Sequence, residues 1–283
     1  KTGTTIVIIN FSCHLIPSSC IAPFLHTTNC RYSQKHMPVR KISSTIRQLG
    51  WIEGGIYFLS RGLSLLTFGY GRLIRYHFVA QPIPSDGGEK MRPSPRSFVD
   101  FVDENDPLVA AFPRPTAVIK KRFKDGSICL AAKAGDKFAG FLWLAKSQYE
   151  EDEVRCLYQL LQPEESVFDF DVYVEPEFRY GRTFSRLWGF ANSHLAADGV
   201  LWSFSRIASS NTESLRSHAR LGIRKLFAAN FLCLGRVQIT IASIDPFVHI
   251  SFSERSRPTL GLMPPVLQPA HAHVHLGRFN KPK

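Results

Sequence analysis

A proline turn, two arginines and the start of a helix follow one predicted strand. The strand is predicted over residues 167–174, Pro176 ends it, and a helix is predicted over residues 181–198. A helix that follows a strand presents unpaired N–H groups and a positive dipole end to the connecting loop. Together with the charges of Arg179 and Arg182, this favours the binding of a phosphate group.

A second group of polar residues lies one helix and one strand further along the chain. A short helix is predicted over residues 211–221, with Asn211 at its N-terminus. Ser214, Ser217 and His218 follow at three- and four-residue spacing, which places them on neighbouring faces of the helix. An imidazole exchanges protons near neutral pH, so this helix is a second candidate for chemistry.

The two segments together resemble the GNAT superfamily of acyl-CoA-dependent N-acyltransferases, over roughly residues 98–243. The loop of that family typically reads V-x-P-x-x-R-G-x-G-x-G or A, and its later helix N-x-x-A-x-x-x-Y-x-x-x-G. Residues 57–82 and 150–155 are similar to a bacterial GNAT subgroup of unassigned substrate. The matching positions are Val174, Pro176 and Arg179 in the loop, and Asn211, Ser214, His218 and Gly222 in the helix.

The resemblance implies direct transfer of an acyl group from acetyl-CoA, or a related thioester, to an amine of a small molecule or a protein. It implies Asp169 and Asp171 as bases acting through water, and His218 as the acid beside the thioester sulfur. The alternatives are ordinary polar strand residues, a packed histidine, and a helix cap at Asn211. The implied cofactor contacts are Val172, Val174, Arg179, Tyr180, Gly181, Arg182, Thr183, Phe184, Asn211 and Ser214.

The loop departs from the family pattern at its glycines. After Arg179 the family has glycines where this chain has Tyr180, Arg182 and Phe184, and the glycine that is present, Gly181, is displaced. Glycine lets a phosphate approach the backbone closely. Three alternatives follow: a shifted loop, another acyl carrier, or a non-catalytic module that binds a ligand or partner.

Hydrophobic periodicity predicts the elements that would position these residues. Within residues 167–174, strict alternation places Asp169, Asp171 and Tyr173 on one face of the strand. The pattern predicts a mixed α/β (α+β) fold, and the resemblance implies a GNAT-like, mostly antiparallel sheet flanked by helices. The other predicted strands are residues 98–102, 127–133, 138–145, 154–161, 200–207, 224–234 and 236–243, with helical turns over 105–122.

The chain divides into five predicted segments. Residues 43–80 read as helical with a broad apolar stripe, which would pack on the following domain or contact a membrane surface or a second copy of the chain. Residues 2–30 carry no charge and resemble a signal peptide, but Pro17, Ser18 and Ser19 interrupt them, which favours an extension ahead of Met37 over a targeting segment. The segments are an extension (1–36), a helical N-terminal segment (37–81), a linker (82–97), the acyltransferase domain (98–245) and an irregular tail (246–283).

Charge and cysteine content indicate which partners the protein binds and in which cellular compartment it is found. A net charge of +12 attracts polyanions, but the chain has no recognised nucleic-acid reader motif, so nucleic acid is not expected. Six cysteines without CxxC or zinc-finger spacing predict no metal and a reducing, cytoplasmic location. His271, His273 and His275 could bind a metal adventitiously. The acidic run 150–153 reads as a solvated turn, or as a landing site for a cationic acceptor.

Overall fold

A computed structural model describes residues 50–88, 97–253 and 255–266 of the chain. The helices are α1 (Trp51–Leu66), α2 (Thr116–Lys124), α3 (Thr183–Ala197) and α4 (Thr212–Ala219), with 3-10 turns at Pro107–Ala111 and Pro176–Phe178. The strands are β1 (Gly71–Pro82), β2 (Ser97–Val102), β3 (Ile128–Ala134), β4 (Lys137–Ala145), β5 (Gln148–Glu150), β6 (Leu157–Leu160), β7 (Ser166–Val174), β8 (Trp202–Ala208), β9 (Arg224–Leu234), β10 (Val237–Ala242), β11 (Val248–Ser251) and β12 (Thr259–Leu262).

Nine of these strands form one large sheet in the order β11-β10-β9-β1-β8-β7-β4-β3-β2. All neighbouring strands in it are antiparallel except β7 and β8, which run parallel because α3 connects them. Helices lie on both faces of the sheet. The prediction of a mixed α/β fold with a mostly antiparallel sheet flanked by helices is therefore confirmed.

The two faces of the sheet are buried by different partners. On the helical face, Leu142 and Leu144 of β4 pack with Leu187 and Trp188 of α3. On the other face, called the aromatic face, large rings dominate the core. Because both faces are covered, β4 is apolar along nearly its whole length rather than alternating with polar residues. The rings of the aromatic face include Phe78, Phe141, Trp143, Phe168, Phe170 and Phe204.

A second, three-stranded sheet covers the aromatic face. Its order is β12-β6-β5, with β12 parallel to β6. Tyr149 of β5 stacks on Phe170 with ring centroids 4.3 Å apart, and Tyr158 of β6 meets Phe78 edge to face at 5.0 Å. These ring contacts hold the small sheet against the large one.

Two secondary-structure predictions are wrong. Residues 71–80, predicted as helix, form most of β1, which lies between β8 and β9 in the large sheet. The tail predicted to be irregular contains β11 and β12, since residues 248–251 and 259–262 both pair with strands. The predictions for residues 1–36 and for the tail histidines lie outside the described residues.

Helix α1 packs against β1 through polar and small residues. Glu53 lies 3.3 Å from Nε of Arg75 and 3.2 Å from Nε2 of His77, and the Leu73 amide donates to Ser60 Oγ at 3.2 Å. Within residues 50–88, 97–253 and 255–266, no helix combines the length and the apolarity needed to cross a bilayer. Of the apolar residues of α1, Leu59, Leu65 and Leu66 are exposed, whereas Ile56, Phe58 and Leu63 are partly buried.

Candidate functional site

The parallel strands β7 and β8 separate partway along their length. Their paired residues run from Ser166 opposite Trp202 to Asp169 opposite Ser205 and stop there, although β7 continues for five residues more. Beyond that point β7 stays paired with β4, while β8 stays paired with β1. The divergence opens a cleft at the carboxyl ends of both strands, which is where ligands commonly bind in α/β sheets.

A cavity of about 50 Å³ occupies this cleft. Residues from β7 and β8 form its walls, and side chains from the start of α3 and from α4 close one end. Six of the predicted site residues line it: Asp169, Asp171, Val172, Phe184, Ser214 and His218. The structure does not place the other seven against it: Val174, Arg179, Tyr180, Gly181, Arg182, Thr183 and Asn211.

A β-bulge at Phe170 separates the two aspartates. Trp143 of β4 pairs with Asp171 and the next residue, Leu144, pairs with Asp169, so Phe170 is an extra residue on β7. Alternation resumes one residue out of phase after a bulge. Asp169 therefore points to the helical face and Asp171 to the aromatic face, and the prediction that they share a face is wrong.

Asp169 is a buried carboxyl held by two hydroxyl groups. Ser203 Oγ donates to Oδ2 at 2.8 Å, and Ser205 Oγ donates to Oδ1 at 2.5 Å. Burial raises the pKa of Asp169 to about 7, and the two hydrogen bonds oppose that rise because they favour the charged form. A carboxyl with this pKa exchanges its proton near neutral pH, which suits a general base.

Asp171 is bound by two buried arginines. Arg114 donates from Nε and Nη2 to both carboxylate oxygens at 2.8 Å, and Arg122 Nη1 donates to Oδ2 at 2.8 Å. Arg114 also lies over Tyr173, and Arg122 over Trp143. Taking up a proton would sacrifice these charge-assisted bonds, so the geometry disfavours Asp171 as the base.

The acidic run 150–153 is solvated at Glu150 and Asp152, as predicted for a turn, but Glu151 is buried in the interior. Glu151 is fully buried, and Arg206 of β8 donates to both of its carboxylate oxygens. Burial raises the pKa of Glu151, and the charge of Arg206 opposes that rise. Every other member also has a partner: Glu150 pairs with Arg257, Asp152 with Arg122 and Tyr149, and Glu153 with Tyr76.

The loop predicted to bind phosphate forms a 3-10 turn at Pro176–Phe178 and then enters α3. Arg179 Nε donates to the Val174 carbonyl at 3.0 Å, which ties the turn to the end of β7. Arg182, the residue before α3, makes no side-chain cap to the helix. Tyr180 and Gly181 are exposed beside it, so the start of α3 faces solvent.

Helix α4 closes the cleft with a buried imidazole. Asn211 Oδ1 accepts from the Ser214 amide at 3.0 Å, so its side chain caps its own helix. Nδ1 of His218 lies 2.8 Å from the Ser214 carbonyl, which can only accept, so Nδ1 carries the proton. Nε2 has no partner in the structure, and burial lowers the pKa of His218. A neutral imidazole with an unpaired Nε2 must first accept a proton before it can donate one, so the acid role of His218 stays a prediction.

Several residues at the cleft escaped the sequence analysis. Ser205 lies next to Asp169 because β7 and β8 pair in parallel, and the bulge at Phe170 could not be read from β7 alone. Arg206 had a visible signal, since a charged residue inside the apolar run 200–207 indicates a buried ion pair. No local sequence signal marks Arg114 and Arg122 as buried ion-pair partners, because Asp171 is about fifty residues away from them.

A larger cavity of about 340 Å³ lies at the other end of α3. Its walls are mostly apolar, with Phe101 and Leu195 among them, and Lys146 and His194 contribute polar atoms. None of the predicted site residues lines it.

No protein-family model and no curated protein sequence matches the chain. Solved structures match it at low similarity. A functionally unknown conserved protein from Staphylococcus epidermidis is 12% identical, with a TM-score of 0.42 over 71% of this chain and 69% of that one. A tandem GNAT protein from the clavulanic acid biosynthesis pathway is 12% identical, with a TM-score of 0.39 over 54% and 50%. An aminoglycoside acetyltransferase from an uncultured soil metagenomic sample is 13% identical, with a TM-score of 0.33 over 44% and 86%.

Proposed function

We propose that the chain is a GNAT-type N-acyltransferase that moves an acyl group from acetyl-CoA, or a related thioester, to an amine. The observation that carries the proposal is the cleft between β7 and β8. Two parallel strands that separate leave a slot in which an extended chain such as pantetheine can lie beside β7. Phe184 from the loop segment and Ser214 and His218 from the later helix line the same cleft.

The start of α3 supports binding of the diphosphate of coenzyme A. The helix begins at Thr183 without a side-chain cap, so its first amides are available to an anion. Arg179 and Arg182 add positive charge within one turn of that end. Because Tyr180 and Phe184 replace the family glycines, we expect the diphosphate to be contacted by side chains more than by the backbone.

The cleft contains two groups that can take a proton from the neutral acceptor amine as it attacks, Asp169 and His218. In the proposed step, the amine nitrogen bonds to the thioester carbonyl carbon and the carbon–sulfur bond breaks. The amine loses one proton to Asp169 or His218, and the departing thiolate regains a proton. A neutral His218 that first accepts the proton can then return it to the sulfur, since the proton makes it an imidazolium acid.

Calorimetry with acetyl-CoA tests the cofactor. We expect binding to the full chain and a weaker affinity in Arg182→Glu, because that variant reverses a charge at the start of α3. Arg220→Glu is the matched control, an exposed arginine after α4 that should leave the affinity nearly unchanged. The acetyl-CoA proposal fails if the full chain shows no heat at millimolar ligand.

Thiol release in the presence of a panel of amines tests the chemistry. We expect Asp169→Asn and His218→Phe to lower the rate at least about 100-fold, the usual size of a general acid–base contribution. Full activity in both variants, with acetyl-CoA binding unchanged, would remove these two roles while leaving the cofactor proposal intact.

A non-catalytic ligand- or partner-binding module is the second candidate. The observation that favours it is the small volume of the cleft, where Phe184 lies against His218 with ring centroids 6.4 Å apart. If these rings block the slot, Phe184→Gly should bind acetyl-CoA and the unchanged chain should not. If the unchanged chain binds acetyl-CoA and Phe184→Gly binds it equally well or more weakly, the two rings do not block the slot.

A further inference from the structure

Helix α1 carries an apolar stripe that no described element covers. Glu53 and Ser60, which contact β1, lie on the opposite side of the helix. The three large residues of the stripe are between 62% and 82% exposed. The stripe, called the outer stripe, recurs at alternating three- and four-residue spacing: Ile52, Gly55, Leu59, Gly62 and Leu66.

Two glycines make the outer stripe suited to close packing. A Cβ added at Gly55 or Gly62 would meet no heavy atom within 4 Å, so neither glycine is required by the packing of the chain itself. Glycine in a helix interior is destabilising relative to alanine. Its use twice on one exposed stripe is accounted for if another element approaches the helix closely there.

A second uncovered apolar surface lies beside α1 on the same face of the sheet. In β10 and β11 the usual alternation is reversed, because Gln238, Thr240 and Ser251 are buried on the aromatic face. The apolar residues point the other way, and three of them are between 48% and 60% exposed. This surface, called the apolar shelf, consists of Leu234, Ile239, Ile241, Val248 and Ile250.

The apolar shelf has the width of one helix. It spans β9, β10 and β11, and strands spaced about 4.8 Å apart make it roughly 10 Å across. A helix with its side chains is about 10–12 Å in diameter. α1 packs on the neighbouring strand β1, so the outer side of α1 projects above the apolar shelf by about one helix diameter. A flat bilayer that touched the outer stripe could not also reach the shelf, whereas a helix could.

We infer that the chain forms a two-fold symmetric dimer in which α1 of each copy packs on the apolar shelf of the other. The two surfaces lie side by side on one face of one sheet, so a single two-fold axis satisfies both contacts at once. Neither surface carries a charged residue. At roughly 100 Å² per exposed side chain, Trp51 and the seven exposed large residues of the two surfaces present about 800 Å² per copy, the amount each partner buries in a standard interface. The inference does not depend on acyl transfer.

Analytical ultracentrifugation of the full chain tests the dimer. We expect a species of twice the 32.0 kDa chain mass at micromolar concentration. Leu59→Glu in the outer stripe and Ile241→Glu on the shelf should each raise the dimer dissociation constant at least about 100-fold, since each would bury an unpaired carboxylate twice per dimer. Val266→Glu is the matched control at an exposed apolar residue outside both surfaces, and it should remain dimeric.

Each alternative occupant gives a result that overturns the inference. If the unchanged chain is a monomer, the inference is wrong, and the chain's own remaining residues are the occupant of the shelf. If that monomer also sediments with anionic vesicles, a membrane is the partner of the outer stripe. A dimer lost in Leu59→Glu but kept in Ile241→Glu would mean that the helices pair with each other. A cooperative thermal unfolding transition in both variants shows that each monomer is folded, and a variant without one is replaced by its Leu59→Ser or Ile241→Ser counterpart.

Discussion

Replacing Asp169 by asparagine is expected to make the protein more stable at neutral and alkaline pH. The carboxyl group is buried and accepts side-chain hydrogen bonds from Ser203 and Ser205. Asparagine has nearly the same shape and stays neutral, so it keeps one accepted bond and can donate to the other serine after its hydroxyl rotates. The variant removes the cost of an ionised buried group without opening a cavity.

The magnitude follows from the pKa of Asp169, which burial raises from 3.8 to about 7. Between these values the folded state holds a proton that the unfolded state has lost, so the free energy of unfolding falls as pH rises. The slope is about 1.4 kcal/mol per pH unit for one proton, and the whole fall is about 4 kcal/mol. This decrease in the free energy of unfolding is complete above pH 7, and Asp169→Asn should not show it.

Urea unfolding curves measured from pH 4.5 to pH 8.5 would show this difference. We expect the stability of the variant relative to the unchanged protein to grow with pH up to about 7 and then to level off. Asp136→Asn, in the exposed turn between β3 and β4, is the control and should give a constant difference. A difference of under about 1 kcal/mol at pH 8 for Asp169→Asn would refute the argument that the carboxyl is ionised at a cost.

Three further predictions concern the buried interior. Arg206→Met leaves the carboxylate of Glu151 unpaired, so the free energy of unfolding at pH 7 should fall by about 3–5 kcal/mol in urea titrations; adding Glu151→Gln should recover most of it, and a loss under about 1 kcal/mol would contradict the pairing. Gly140→Ala should cost about 2 kcal/mol or more in thermal unfolding because its Cβ would overlap a β7 carbonyl oxygen. Burial raises the pKa of the Cys129 thiol, so that thiol should resist a disulfide reagent until the protein unfolds; rapid native labelling, followed by mass spectrometry, would count against a closed core.

The sequence analysis succeeded where the signal is local. β3 and β4 follow from two apolar runs around Gly135, whose positive φ of 62° makes the turn between them. α3 follows from apolar residues at helical spacing between Pro176 and Gly199, which has a φ of 79°. In each case the residues that define the element also define where it ends.

The analysis failed at β1 because two periodicities overlap there. Tyr76, Phe78 and Ala80 alternate with other residues and are buried, as expected of a strand. The intervening Arg75 and His77 are accommodated by Glu53 of α1, a contact that the sequence alone does not reveal. Without it, the segment reads as a continuation of the preceding helix.

The positions of the candidate site residues were predicted only in part. Asp169 and His218 were identified by their place in two motifs, and both line the cleft. Asp171 was assigned to the wrong face because a bulge at Phe170 depends on how β4 pairs with β7, which residues on β7 alone cannot indicate. The burial of Glu151 within the acidic run was missed for a similar reason, since its partner is Arg206, more than fifty positions away.

The short seam between β7 and β8 also has a mechanical consequence. It divides the large sheet into two plates, β2-β3-β4-β7 on one side and β8-β1-β9-β10-β11 on the other. Each plate is held by long antiparallel ladders, whereas the seam is paired only from Ser166 to Asp169. The plates can therefore tilt about this hinge without breaking either ladder. Amide hydrogens along the seam should exchange with solvent before those within the plates. A molecule bound between β7 and β8 would change the width of the cleft by tilting the plates.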